Sequence, residues 1–97
     1  MPGITLEWYV YMVRCRDGSL YTGIATDIDR RFAEHRSGKG AKYLRGRSPL
    51  KLAFKAKIGK RALALKIERL IKGLPKSEKE RIVAEGIDVS RVLARRA

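Results

Sequence analysis

Residues 8–24 read WYVYMVRCRDGSLYTGI, from Trp8 to Ile24, and how this stretch folds back on itself decides the architecture. Six consecutive aromatic and apolar side chains, Trp8 to Val13, suit a strand buried on both faces better than a helix. Arg16, Asp17 and Gly18 follow as a turn signal, and Ser19 to Ile24 returns as a second, antiparallel strand. Two registers compete. A two-residue loop of Asp17 and Gly18 sets Arg14 opposite Tyr21 and leaves Tyr11 on the other face of the sheet. A three-residue loop, with Gly18 left-handed as a bulge, pairs Cys15 with Ser19, Val13 with Tyr21 and Tyr11 with Gly23. Only the second puts both phenols diagonally on one face, with the missing side chain of Gly23 leaving room for Tyr11.

Downstream, Thr26 is expected to cap a helix from Asp27 to Arg36, whose apolar stripe is Ile28 and Phe32 and which stops at Ser37 and Gly38. Residues 38–49, rich in glycine and cations, read as an ordered basic loop with Tyr43 at its centre. Leu50 to Ile58 alternates apolar residues with Lys51, Lys55 and Lys57, predicting a half-buried third strand with one basic face. Leu63, Ile67, Leu70, Ile71 and Leu74 recur at helical steps between Lys60 and Gly73. Two shorter helices are expected at Lys76 to Glu85, with Ser77 as cap, and Asp88 to Arg96. The expected fold is one α/β domain: a small, mainly antiparallel three-stranded sheet flanked by helices, with its core in residues 8–74 and a helical tail in residues 75–97.

Charge narrows the function. The 97 residues carry a formal net charge of +13, while 44% of them are hydrophobic, so the chain is a folded polycation rather than a disordered basic tail. No acid occurs between Glu34 and Glu68, and that window holds eleven Lys and Arg. Loop, third strand and the start of the long helix thus predict a phosphate-tracking surface, for which Lys39, Lys42, Arg45, Arg47 and Lys55 are the candidate cations and Tyr43 a candidate for stacking on an unpaired base. A tyrosine that merely anchors the loop is the alternative. No apolar run is long enough to cross a bilayer, the first twenty residues show no secretory signal, and the single Cys15 excludes an internal disulfide and a cysteine-based zinc cluster. A cytoplasmic protein is expected.

Arg31 and His35, four apart, share one face of the first helix, and Glu68 lies roughly 60° around the long helix from Ile71, at the rim of the apolar stripe. A carboxylate in a basic field either pairs with a cation, here Lys72, or joins phosphate oxygens in binding a hard divalent metal. In order, Tyr9-Val10-Tyr11, Tyr21-Thr22-Gly23, Arg31, His35 and Glu68 resemble the GIY-YIG nuclease superfamily, and Gly38 to Tyr43 with Arg47 to Leu50 resemble its small stand-alone bacterial branch. Tyr9 and Val10 replace Gly and Ile of the first triplet and Thr22 replaces the Ile of the second. The chain also has no Asn, which several larger members carry near the active site.

The resemblance implies a metal-dependent DNA endonuclease with one divalent ion, Mg²⁺ or Mn²⁺, held by Glu68 and the substrate phosphate. Tyr11 or Tyr21 would orient and help deprotonate the attacking water, Arg31 would stabilise transition-state charge, and His35 would assist. A cationic site and metal are expected to favour the phenolate of such a tyrosine. Without added recognition domains, selectivity should rest on substrate form, such as single-stranded or branched DNA. RNA as substrate, a required partner protein and a non-catalytic basic binding module are the alternatives.

Overall fold

The computed structural model describes residues 6–88. Its elements run β1 (Trp8–Arg14), β2 (Leu20–Ala25), α1 (Ile28–Arg36), a 3-10 turn (Lys42–Leu44), β3 (Lys51–Gly59), α2 (Arg61–Lys72) and α3 (Lys76–Glu85). The expected helix at Asp88 to Arg96 lies outside the described residues, Asp88 apart. The sheet is antiparallel throughout, in the order β2-β1-β3.

The three-residue turn is the one formed. Gly18 takes φ 87°, the Gly18 amide donates to the Cys15 carbonyl, and β1 pairs with β2 as Val13 with Tyr21 and Tyr11 with Gly23. Being central, β1 is buried on both faces, which is why its sequence does not alternate. Tyr11, Val13 and Cys15 face one core with Ala25, Ile28, Leu44 and Leu50, whereas Val10 and Met12 face a second core with Ile67, Ile71 and Ile82. Full burial of Val10, Met12, Ile67 and Ile71 stabilises the second layer by about 1.5–3 kcal/mol per side chain.

Three local expectations are corrected. Asp27, not Thr26, is the α1 cap, its carboxylate accepting from the Arg30 amide at 3.0 Å, since an aspartate one residue later outcompetes the weaker threonine. Ser77 lies inside α3, whose cap position is Pro75; the Pro75 carbonyl accepts from Glu78 and Lys79. Finally, β3 does not alternate strictly. Its register against β1 shifts between Met12 and Val13, so Phe54 pairs with Met12 but Leu52, rather than Ala53, pairs with Val13. This bulge turns Leu52 into the first core and Phe54 into the second. Lys51, partnered with Arg14, therefore leaves the face that carries Lys55 and Lys57, and the single basic face predicted for the strand is divided.

Helix α3 is packed onto this frame. Arg14 donates to both Glu80 carboxylate oxygens, at 2.8 and 2.7 Å, and Lys76 donates to the Gly18 carbonyl at 2.7 Å, so α3 clasps the β1–β2 turn.

Candidate active site

Tyr11 stands at the middle of β1, and the register against β2 places Gly23 beside it. A Cβ at Gly23 would lie 2.6 Å from the Tyr11 hydroxyl, so the ring occupies the space that glycine leaves open. From α1, His35 brings Nε2 to 2.7 Å from the same hydroxyl. Its Nδ1 accepts from the Ala41 amide at 3.0 Å. A neutral imidazole with an acceptor Nδ1 carries its proton on Nε2, so His35 donates to Tyr11 and the phenol oxygen is the acceptor.

Arg31, one turn before His35, gives a hydrogen bond to Glu34 at 3.0 Å and draws the Tyr11 phenol toward ionisation. Burial opposes it, as does neighbouring Tyr21, and together they push Tyr11 up to about 12. Among the chain's own groups, then, the expected bias toward phenolate is reversed, because desolvation of a phenolate outweighs one adjacent guanidinium. Burial, followed by the charge of Arg31, also holds His35 below its ordinary 6.5, which favours the neutral imidazole, and the Ala41 amide selects the tautomer that donates to Tyr11.

Tyr21 connects this buried pair to the surface. Its ring centroid is 6.5 Å from Tyr11, 5.6 Å from His35 in an edge-on arrangement, and 5.9 Å from Tyr43, nearly parallel. Tyr43 is 45% exposed, with the Arg47 guanidinium 4.2 Å over its ring. The loop position thus has an anchored and an accessible side at once. Arg47 is already engaged, giving hydrogen bonds to Asp17 at 3.0 Å and to the Tyr43 carbonyl at 2.8 Å. Lys39, Lys42 and Arg45 are exposed on the loop, and exposed Lys55 is the β3 partner of Tyr11, on the site face.

Glu68 arrives from the opposite layer. Its helix packs on the Val10 and Met12 face, but at the β2 edge Glu68 adds its negative charge to the field at Tyr11, and Lys72, one turn on, reaches over Tyr21 at 5.9 Å. The Glu68 side chain is only 16% exposed and pairs with Lys72 at 3.5 Å. Among the described residues no group of three or more His, Cys, Asp and Glu could hold a metal. What the site offers a divalent cation is one largely buried carboxylate, paired with Lys72, a donor that suits a hard ion completed by phosphate and water oxygens.

Four expected residues, Tyr11, Tyr21, Arg31 and His35, are therefore gathered on one side of the sheet, while Glu68, from the opposite layer, acts on Tyr11 through its charge. The GIY-YIG catalytic domain matches residues 7–81. This chain belongs to the GIY-YIG family. The family is one of nucleases, and the resemblance and fold expected from the sequence are borne out. Among relatives, the UPF0213 protein YhbQ of Escherichia coli O8 is 53% identical over 90% of this chain and 87% of its own length. A UPF0213 protein of Enterobacter sp. strain 638 is 58% identical over 84% of this chain and 79% of its own. The solution structure of a UPF0213 protein from Bacillus halodurans superposes with a TM-score of 0.54 at 44% identity, covering 82% of this chain and 86% of that one. Three features of this GIY-YIG site escaped the sequence reading: the Ala41 amide, Gly40 against His35, and Lys72 over Tyr21. Of these only Lys72 left a signal, its four-residue spacing from Glu68, and that signal pointed to an ordinary helix pair.

Proposed function

We propose that this GIY-YIG protein is a metal-dependent DNA endonuclease that hydrolyses phosphodiester bonds and selects its substrate by form, single-stranded or branched, rather than by sequence. The observation that carries this reading is the 2.7 Å contact of Tyr11 with a His35 whose tautomer is fixed from behind by the Ala41 amide. The pairing fixes the phenol oxygen in one orientation, as a catalytic phenol requires.

In hydrolysis a water oxygen loses a proton to a base and bonds to phosphorus, while the ester bond breaks and the leaving oxygen takes up a proton from solvent. In its phenolate form Tyr11, its oxygen oriented by the His35 N–H, would orient the attacking water and take its proton, with Tyr21 as the alternative base. Tyr21, half-buried at the mouth, is the second phenol within reach of that water. Arg31 presents a planar donor fork to the charge that grows on the phosphate oxygens. A single Mg²⁺ or Mn²⁺ ion, held by Glu68 and the substrate phosphate, supplies when bound a Lewis acid and the positive charge that favours phenolate.

The cations Lys39, Lys42, Arg45 and Lys55 lead the phosphate chain past this cluster, and Tyr43 extends the ring series outward, a surface suited to an unpaired base. A cytoplasmic location is part of the same proposal. The deciding experiment incubates labelled single-stranded, duplex and flap DNA, and RNA, with Mg²⁺, Mn²⁺ or chelator. Metal-dependent cutting of single-stranded or flap DNA is expected; folded protein that binds these substrates and cuts none of them is a binding module instead.

A further inference from the structure

Lys72 occupies an unusual place for a helix-surface lysine. Its ammonium lies 3.5 Å from the Glu68 carboxylate and 5.9 Å from the centre of the Tyr21 ring, so it touches both the carboxylate and one ring of the tyrosine cluster. The two partners differ in freedom: the Lys72 side chain is 51% exposed, on a flexible stem, whereas Glu68 is 16% exposed. An inward-held carboxylate is costly to leave uncompensated, and among the described residues Lys72 is its one ion-pair partner.

We infer that Lys72 is a resident counter-ion that stands in for the divalent metal at Glu68 and must leave the carboxylate for the metal to bind. This rests on the reading of Glu68 as the metal ligand. A dication at Glu68 would be repelled by an ammonium held against the same carboxylate, so the lysine and the metal compete for one charge. The lysine offsets the charge of Glu68 while no metal is held, and it sets a threshold for metal occupancy. The long stem lets it swing away into solvent without disturbing α2.

The test is Mn²⁺ binding to the DNA-free protein, followed by paramagnetic broadening of the Tyr21 and Glu68 amide resonances, a titration that reads weak as well as tight binding. Lys72→Met, which keeps the stem and removes the charge, should bind Mn²⁺ about three- to tenfold tighter than the unaltered protein. Glu68→Gln should weaken binding severalfold, and the double variant should behave as Glu68→Gln alone, because without the carboxylate there is nothing to compete for. Unchanged or weaker Mn²⁺ affinity in Lys72→Met, with binding still dependent on Glu68, overturns the counter-ion role. Unaltered Mn²⁺ binding in Glu68→Gln overturns the metal-ligand reading itself. Dispersed amide spectra of each variant establish that it is folded.

Discussion

Gly40 packs directly on His35: a Cβ built on Gly40 would collide with Nδ1 and lie 2.9 Å from the His35 backbone nitrogen and Cα. The following residue, Ala41, supplies the amide that Nδ1 accepts. Glycine here is what lets the loop amide reach the imidazole, and through it the loop fixes which nitrogen faces Tyr11.

Gly40→Ala is therefore expected to push the loop off His35, costing about 1–3 kcal/mol of stability as an overpacking change. If the imidazole also serves the chemistry, cleavage should fall by about 10²-fold, the penalty of a misplaced group. Denaturant titration and imidazole nitrogen shifts in labelled protein check this. A folded variant with the native His35 tautomer and full cleavage contradicts it.

Stability should depend on pH through His35. In the folded chain burial and Arg31 hold its pKa below 6.5, the value expected when unfolded, so between the two the unfolded state carries more protons. Stability from this group is present above about 6.5 and is lost as pH falls through the window toward the folded pKa. The unfolding midpoint of the unaltered protein, compared with His35→Gln between about pH 7 and pH 5, isolates the contribution. A His35 ring that titrates above 6.5 by NMR reverses the expected sign.

Lys42 and Arg45 are exposed on the loop that carries Tyr43. If both neutralise phosphates, replacing both with glutamine should weaken DNA binding and lower its logarithmic salt dependence by up to ~1.8 on duplex or ~1.4 on single strands. Fluorescence anisotropy across a salt series measures the slope. An unaltered slope takes the loop out of the interface.

Thr22 stands where the family triplet has isoleucine, and its Oγ1 is buried with no hydrogen-bond partner among the described residues. Thr22→Val keeps the shape and removes the unpaired hydroxyl, so it should stabilise the fold by about 1 kcal/mol. A loss of stability on urea titration would mean that the hydroxyl is satisfied in solution.

How much of this was legible follows from the kind of interaction involved. The hairpin register could be worked out because side-chain parity is strict in a ladder and only one loop length puts Tyr11 and Tyr21 on one face. Parity also misled, at Lys51, because a bulge costs one residue and nothing in the alternation of Leu50 to Ile58 announces it. The Tyr11 and His35 partnership joins residues 24 apart, and spacing alone could place His35 only at the rim of the core. The Ala41 contact was illegible, since a backbone amide is present at almost every position and only the packing of Gly40 selects this one. The raised pKa of Tyr11 depended on burial, which a count of nearby cations does not measure.

The division of the site between two layers bears on how the molecule becomes competent. Tyr11, Tyr21, Arg31 and His35 fall within β1, β2 and α1, a contiguous run whose contacts close over short loops, whereas Glu68 waits for β3 to take its place beside β1 and for α2 to dock behind it. Four of the five residues come from that local run, and the fifth comes on a helix that needs β3 in place. A chain in which only β1, β2 and α1 had formed would hold the tyrosines, arginine and histidine without the carboxylate, so the proposed hydrolysis would report on the docking of α2.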